Sequence, residues 1–237
     1  FRLQREALDW LESKEDRAGA MAWEAVKAMV FSNHPYGLPR NGTKRGLKTL
    51  SVGRMKRFHS RWAQSENLVF SVVGSGEPDR VAARLSRLLA PLAEREGEAP
   101  TVPSPVFPSE EREQCVRAGR GQSQVVLAWG TKGLDQPDRL ALDLAASVLG
   151  SPGGRLFQTL RDKFALAYDV DAGHATAPKG GIFSLELSTE AGRSEEARDR
   201  LMDQLALVSE QGVTQGELDR AKAKLFFARV DALQLPG

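Results

Sequence analysis

The residues best suited to do chemistry are an arginine and a tyrosine that follow a pair of glycines. Gly153 and Gly154 precede a helical segment carrying Arg161, and a strand-like segment then carries Tyr168. A guanidinium and a phenol both donate hydrogen bonds, so together they could hold a substrate carbonyl or a developing oxyanion. The alternative is structural, since an arginine near a helix C-terminus favours the helix dipole and a strand tyrosine usually packs half-buried. From these residues alone the structural interpretation is the stronger one.

The elements that would position this pair follow from hydrophobic periodicity and capping residues. Ser51 is a predicted N-cap, and Thr214 and Glu217 have the spacing of a capping box. The predicted helices are 2–15, 19–30, 52–62, 78–92, 138–149, 154–162, 194–210 and one that begins at Thr214. The predicted strands are 67–74, 124–129, 165–175 and 181–189, and the first of them is expected to be buried because it is continuously apolar.

The fold class expected from this order is α+β, with antiparallel sheets backed by helices. The turn Pro178-Lys179-Gly180 is too short for a parallel crossover, so the strands that it joins should pair antiparallel. Residues 94–112 are rich in Pro and Glu and are predicted to be a linker. We therefore expect two lobes, an α+β domain over 1–93 and a second one over 113–237.

The composition excludes several classes of function. The net charge of +2 comes from 33 basic and 31 acidic residues that are interspersed, which gives no basis for binding nucleic acid or a membrane surface. Cys115 is the lone cysteine, so an internal disulfide and a thiolate zinc cage are excluded. The sequence contains no run of about 18 apolar residues, so it predicts no membrane span. Because the chain starts at Phe1, we expect it to be a piece of a longer or processed protein.

A series of motifs along the chain resembles the pitrilysin/insulinase-type zinc metallopeptidases, the inverzincins. The motifs are HPYG at 34–37, GT at 42–43, NLVFSVVG at 67–74, GQSQVVLAWGTKG at 121–133, LALDLAASVLG at 140–150, GGRLFQTLRDKFALAYDV at 153–170 and GVTQGELDRAKAKL at 212–225. Each is degenerate alone, but their order and spacing together are specific. The resemblance implies that 1–93 is the later part of the family's first domain, and 113–237 the early part of its second. It also implies that Arg161 and Tyr168 bind substrate.

The metal site is where the chain departs from the family's pattern. The resemblance implies zinc held by two histidines of H-x-x-E-H and by a glutamate on a later helix. His34, His59 and His174 are far apart, and no H-x-x-E-H is present. The later helix should be 2–15, where the acidic positions fall on Gln4 and Leu11; a one-residue shift would place Glu12 there as the zinc ligand. We expect no catalytic residue and no bound metal in this chain, with Zn²⁺ upstream of it or in a partner subunit.

The remaining candidates are expected to be structural. His34 should fix a turn, and His174 should be a solvated strand-end histidine, with substrate contact as the alternative. Gly150 to Gly154 is similar to a phosphate-binding loop, but no Lys-Ser/Thr follows it.

Three hypotheses about function remain. The first is a metal-free, substrate-clamping part of a zinc peptidase that acts on peptides or proteins, working with a zinc-bearing homologous subunit or as a homodimer. The second is a fragment of an active single-chain zinc peptidase with H-x-x-E-H upstream. The third is a non-enzymatic structural subunit of the core-protein type. The sequence does not indicate a cellular compartment. Because bacterial members of the family are often exported, we expect a periplasmic location.

Overall fold

The computed structural model describes residues 2–15, 17–64, 67–93, 101–116 and 121–234. Within these ranges the strands are β1 (Gln122–Lys132), β2 (Asp169–Thr176) and β3 (Gly180–Glu190). A 3₁₀ turn spans Pro35–Gly37 and a π-helix spans Phe157–Lys163. The α-helices are α1 (Arg2–Glu15), α2 (Ala18–Val30), α3 (Lys44–Lys48), α4 (Val52–Trp62), α5 (Pro78–Ala93), α6 (Arg139–Gly150), α7 (Ser194–Gln211) and α8 (Gln215–Gln234).

The three strands form one antiparallel sheet in the order β1-β3-β2. Gln122 of β1 lies opposite Glu190, and Asp169 of β2 lies opposite Ser188. β2 and β3 form a hairpin, closed by a hydrogen bond from the Ala177 N–H to the Gly180 carbonyl. The expected α+β class and the antiparallel pairing across the Pro178–Gly180 turn are both confirmed.

One face of the sheet carries the main hydrophobic core. The most deeply buried leucines come from every element of this layer, with Leu149 on α6, Leu185 and Leu187 on β3, and Leu201 on α7. Leu156 and Leu160, on the segment that ends in the π-helix, complete the same cluster. Because burying a leucine removes its whole side chain from water, these contacts place the π-helix rigidly against the sheet.

The opposite face of the sheet is covered by α2, which packs on β1. Val26, Val30 and Phe31 meet Ile182 of β3 there. The Trp23 indole N–H donates a hydrogen bond of 2.8 Å to a carboxylate oxygen of Glu186, while burial raises the pKa of that carboxyl. A helix of the first predicted lobe thus packs on the sheet of the second. The division into two lobes at 94–112 stays a prediction.

The predicted linker is only partly within the described residues, since 94–100 lie outside them. Residues 101–116 form no helix or strand, yet part of this segment packs on the fold. The Phe107 ring lies 5.9 Å from that of Phe31, and a His34 ring nitrogen lies 2.8 Å from the Pro103 carbonyl oxygen. His34 also accepts a hydrogen bond from the Tyr36 N–H and caps the 3₁₀ turn, which confirms its predicted role.

The capping signals read from the sequence are confirmed. The Ser51 hydroxyl accepts from the Arg54 N–H, so it is the N-cap of α4. The Thr214 hydroxyl accepts from the Glu217 N–H, and the Glu217 carboxylate accepts in turn from the Thr214 N–H at 2.8 Å. This reciprocal pair is the capping box, and it begins α8 where the spacing predicted it.

The prediction of a buried strand over 67–74 is wrong. Residues 68–73 form no regular element, and Val69 and Val73 are 95% and 87% exposed. Apolar, β-branched residues favour a strand, but a strand forms only where a neighbour pairs with its backbone. No other strand lies beside this segment in the described part of the chain.

Helix α8 is attached to the glycine turn by a two-pronged ion pair. Arg155 donates to the two carboxylate oxygens of Glu217 at 2.9 and 2.7 Å, and both side chains are largely buried. The Arg155 guanidinium and the Thr214 N–H hold the pKa of Glu217 at about 2, below its ordinary value of 4.5. This pair is the polar anchor of α8.

Because of the Arg155–Glu217 ion pair, we expect the chain to lose stability in acid. Because the pKa is lower in the folded chain, the contribution is complete above about pH 4.5 and disappears as the pH falls toward 2. Protonation of Glu217 in acid should lower the free energy of unfolding by about 1–2 kcal/mol. This is less than the full pKa shift implies, because the pair borders an open cleft. Urea unfolding at pH 7, 4 and 2 should show that Glu217→Gln lacks this component.

The matched control for that experiment is Glu196→Gln. Glu196 also pairs with an arginine, Arg193, at 2.9 Å, but both side chains are substantially exposed. This variant should keep the acid-dependent loss of the native chain. An equal loss of acid sensitivity in both variants would contradict the assignment to Glu217.

Candidate functional site

The glycine turn after α6 allows a close approach of backbone segments that a side chain would prevent. A Cβ on Gly154 would lie 2.7 Å from the Ser151 carbonyl oxygen and 2.8 Å from that of Val148. Gly153 has a φ of +72°, in the region that only glycine adopts without strain. The two glycines of the motif are therefore required by the geometry of the turn.

A π-helix, not the predicted α-helix over 154–162, carries Arg161. The chain forms about one α-helical turn from Gly154 and then widens, so that the Phe164 N–H donates to the Thr159 carbonyl five residues earlier, at 3.1 Å. The wider turn places Leu160 fully in the core and leaves Arg161 exposed. Single π-turns occur frequently at functional sites, because they re-aim one side chain without breaking the helix.

The segment 160–168, which we call the Arg–Tyr turn, replaces the start of the predicted strand 165–175. The N–H groups of Leu166 and Ala167 both donate to the Leu160 carbonyl, so they cannot join the sheet, and β2 begins only at Asp169. The Thr189 hydroxyl, fully buried, donates to the Leu166 carbonyl at 2.7 Å. Leu160 and Leu166 anchor the turn in the core at both ends.

The Arg161 side chain is exposed and lies over an aromatic ring. Its guanidinium carbon is 4.9 Å from the centre of the Phe157 ring, a cation–π contact that orients the group without neutralising it. In the described part of the chain, no carboxylate pairs with it and no acceptor takes its hydrogen bonds. Within the described residues, its five donors are therefore available to a ligand.

Tyr168 resembles Arg161 in two respects: its polar group has no partner among the residues that the structure describes, and its backbone is held in place. Its N–H donates to the Ser188 carbonyl at 2.9 Å, which ties it to β3, and the residue is 53% exposed. Its phenol makes no hydrogen bond within the described residues. No contact joins the phenol to the Arg161 guanidinium, so what the structure gives the two is a common buried support, the Arg–Tyr turn.

The prediction that His174 is solvated is wrong. Its side chain is 1% exposed, with one ring nitrogen 2.8 Å from the Asp143 carboxylate and the other 3.2 Å from the Thr131 hydroxyl. The residue sits at a strand position that faces α6, so its ring joins α6 to both outer strands. It is a buried polar bridge of the fold and not a substrate contact.

The residues considered for zinc do not form a zinc site. Leu11 is buried and Glu12 is exposed on α1, His59 is exposed on α4, and His34 is used by the turn that it caps. Among the residues that the structure describes, no group of three His, Cys, Asp or Glu side chains converges on a point where a metal could bind. Within the described residues, Glu12 therefore has no companion metal ligands beside it.

Sequence analysis missed the basic residues that surround the glycine turn. Lys224 of α8 donates to the Ser151 hydroxyl at 2.9 Å, beside the Arg155–Glu217 pair, and these groups line a cleft of about 500 Å³. The loop lacks the adjacent lysine of a phosphate loop, but the fold supplies one that is 73 residues away. Only the capping-box spacing at Thr214 hinted that α8 has a fixed position.

No described helix combines the length and the apolar composition needed to cross a bilayer.

A profile of the peptidase M16 inactive domain matches residues 49–225. An uncharacterized zinc protease of Rickettsia bellii is 25% identical over 217 residues, which are 89% of this chain and 50% of that protein. An uncharacterized zinc protease of Bacillus subtilis is 24% identical over 214 residues, 89% of this chain and 51% of that protein. The chain thus spans about half the length of these relatives.

Solved structures show the same fold. A peptidase M16 inactive domain from Pseudomonas fluorescens superimposes with a TM-score of 0.81 at 26% identity, covering 94% of this chain and 54% of that one. A protease from Helicobacter pylori superimposes with a TM-score of 0.84 at 18% identity, covering 98% and 57%. At that identity the second likeness concerns the fold alone.

Proposed function

The chain belongs to the peptidase M16 inactive domain family, and from this membership we propose that it is the substrate-holding, metal-free part of a zinc metallopeptidase. Its ligand is the main chain of a peptide or protein. Arg161 and Tyr168 bind that main chain, and the zinc is held by a homologous half that lies outside these residues.

The observation that carries the proposal is the state of Arg161 and Tyr168. Both side chains are accessible and lack hydrogen-bond partners in the described part of the chain, while the backbone beneath them is fixed by the fully buried Leu160. Within the described residues neither polar group contributes a hydrogen bond to the fold, so both are available to a ligand. Free donors on a rigid support are the arrangement that recognises a ligand.

The chemistry of the two groups suits a peptide bond. A guanidinium can donate two parallel hydrogen bonds to a carbonyl oxygen and its neighbour, and its charge stabilises the oxygen as negative charge develops during attack by water. The phenol of Tyr168 adds one neutral donor. These groups bind and polarise the substrate, and neither is a nucleophile or a general base in this proposal.

A second candidate is an active single-chain zinc peptidase of which this chain is a fragment. Two observations favour it: the relatives are named zinc proteases, and this chain spans only about half their length. On this hypothesis H-x-x-E-H lies upstream and the exposed Glu12 is the third ligand. Arg161 and Tyr168 keep the same role, because the two candidates differ only in where the metal is bound.

Zinc content separates the two candidates. We expect elemental analysis of the protein, purified from its own cells without added metal and freed of any partner subunit, to find far less than one zinc per chain. The variants Glu12→Gln and Glu6→Gln should give the same result, since Glu6 lies on the same helix and is exposed like Glu12. Stoichiometric zinc that disappears only in Glu12→Gln would contradict the metal-free proposal and support the single-chain peptidase.

Partner capture tests the substrate-holding role itself. A tagged form of the chain should co-purify with a zinc-bearing homologous half, and the complex should cleave a quenched-fluorescent peptide library. Recovery of a stable assembly without peptidase activity would instead favour the structural-subunit hypothesis.

A further inference from the structure

The cleft of about 500 Å³ between the glycine turn and α8, which we call the α8 cleft, carries more positive charge than its ion pair uses. Three cations line it, and Glu217 is the one carboxylate among the described lining residues. Arg155 and Glu217 pair with each other through two hydrogen bonds. The charges of Arg220 and Lys224, both on α8, are therefore left without a carboxylate in the cleft.

The Arg220 guanidinium lacks the partner that its own helix could supply. Glu217 precedes it by three residues on α8, a spacing at which the two side chains could pair. Both Glu217 oxygens are instead taken by Arg155, and the Thr214 N–H donates to one of them as well. Asp219, the neighbouring acid, accepts from a glutamine side chain and does not line the cleft. Among the residues that the structure describes, Arg220 makes no hydrogen bond and no ion pair.

The Lys224 ammonium has only a neutral partner in the described chain. It donates to the Ser151 hydroxyl at 2.9 Å, which leaves two of its three donors for other groups. Burial raises the pKa of Asp171 on β2, and Lys224 opposes that shift from a distance, since no ion pair joins the two within the described residues. Because Arg220 and Lys224 are four residues apart on one helix, they also repel each other, which destabilises the helix. A bound anion would remove that repulsion.

The backbone of the glycine turn favours a carboxylate over a phosphate as the anion. The Gly154 N–H donates to the Ser151 carbonyl at 2.6 Å, and the Ser151 N–H donates to the Ser147 carbonyl at 3.3 Å. A phosphate loop needs such N–H groups free to point at its ligand. The charged groups left for an anion are the side chains of α8, and the planar fork of Arg220 matches the two oxygens of a carboxylate. The ion pair already present in the cleft is of this kind.

We propose that the α8 cleft binds a carboxylate of the peptide that the chain holds. Arg220 donates to both carboxylate oxygens, and Lys224 supplies the second positive charge. The carboxylate belongs to the C-terminus of the peptide or to an acidic side chain, and the chemistry is the same for both. The choice of a peptide rests on the proposed function, but the site itself does not, since neither Arg161 nor Tyr168 lines the cleft.

Four acetylated pentapeptides test the site in calorimetric titrations of the full-length protein. They are acetyl-Ala-Leu-Ala-Leu-Ala as the free acid and as the amide, and acetyl-Ala-Leu-Glu-Leu-Ala-amide with its glutamine copy. We expect at least one carboxylate peptide to bind about tenfold more tightly than its neutral copy, the effect of a hydrogen bond to a charged group. A preference for the free acid identifies the C-terminus as the ligand, and a preference for the glutamate peptide identifies a side chain.

The variant Arg220→Gln should abolish the preference for the carboxylate without lowering the melting temperature, because Arg220 contributes no contact to the described fold. Lys224→Gln should also abolish the preference, whereas Lys224→Arg should keep it because the charge is retained. The matched control is Lys222→Gln, since Lys222 is exposed on the same helix and does not line the cleft. This control should bind all four peptides like the native protein.

Three outcomes would overturn the proposal. Charged and neutral copies bind equally or none binds at millimolar concentration, Arg220→Gln keeps the native preference, or inorganic phosphate binds in the cleft and no peptide displaces it. The last would assign the cleft to a phosphate compound. The variant Arg161→Ala separates this proposal from the proposed function, since it should lower peptide hydrolysis and leave the preference for the carboxylate intact.

Discussion

Replacing Arg161 with alanine should lower kcat/KM for peptide hydrolysis by the assembled peptidase about 10²- to 10³-fold, the range observed when one oxyanion donor is removed. The guanidinium is exposed, has no partner in the described chain and contributes no hydrogen bond to the fold, so the melting temperature should barely change. Arg161→Lys should not restore activity, because an ammonium lacks the planar pair of donors. Steady-state kinetics on the complex captured with the tagged chain would measure this.

The controls are an arginine and a tyrosine elsewhere on the chain. Arg229 is exposed on α8, and Arg229→Ala should retain full activity. Tyr168→Phe should lower kcat/KM roughly tenfold, the effect of one hydrogen bond to a charged or polarised group. Tyr36→Phe, at the other tyrosine of the chain, should leave kcat/KM unchanged. If Arg161→Ala is no worse than Arg229→Ala, the pair does not bind the reacting part of the substrate.

The sequence predicted the elements whose signals are local. Hydrophobic periodicity and capping residues give α4 and α8 their start positions, because a cap and the first helical turn are contacts between residues three or four apart. The short turn before Gly180 likewise determines the antiparallel hairpin, since no other pairing can be closed by so few residues. In each case the information lies within one element or one turn.

The features that the sequence did not reveal depend on residues that are distant along the chain. His174 reads as a strand-end histidine until Asp143, 31 residues away, is placed 2.8 Å from its ring. β2 starts late because the N–H groups of Leu166 and Ala167 donate to the Leu160 carbonyl, and the Leu166 carbonyl is in turn held by the buried Thr189 hydroxyl, 23 residues away. The apolar run around Val69 fails as a strand for the opposite reason: its composition is right, but the described chain supplies no neighbour.

The sequence indicated which residues to consider for the candidate site, but not how they are arranged in space. Arg161 and Tyr168 are predicted from their motif, and their role in binding stays a prediction; the structure leaves both accessible on one buried turn.

Replacing Gly150 with alanine should destabilise the chain by about 3 kcal/mol, the upper range for forcing extra atoms into a packed interior. Gly150 ends α6 where that helix crosses β2, and an added Cβ would overlap the backbone nitrogen of Ala172 and lie 2.8 Å from its Cα. Backbone cannot rotate away as a side chain can, so α6 would have to move. The gain in helix propensity, at most about 1 kcal/mol, is too small to compensate.

The control for this substitution is Gly53→Ala in α4. A Cβ there would lie 3.6 Å from a guanidinium nitrogen of Arg57, an ordinary contact with a flexible side chain. Alanine should therefore stabilise that helix by about 0.5–1 kcal/mol through its propensity alone. Urea unfolding of both variants gives the comparison, and equal effects would mean that α6 adjusts freely over β2.

The movement of α6 expected in Gly150→Ala should also displace the Arg–Tyr turn. Helix α6 leads directly into the glycine turn, and Leu149 beside Gly150 packs in the same cluster as Leu160. A shifted α6 would displace the support of Arg161, and misplacement of a binding group by about 1 Å can cost roughly 10²-fold in rate. We therefore expect Gly150→Ala to lower kcat/KM even under conditions where the variant is fully folded. A folded variant with native kcat/KM would show that the glycine serves only the stability of the α6–β2 contact.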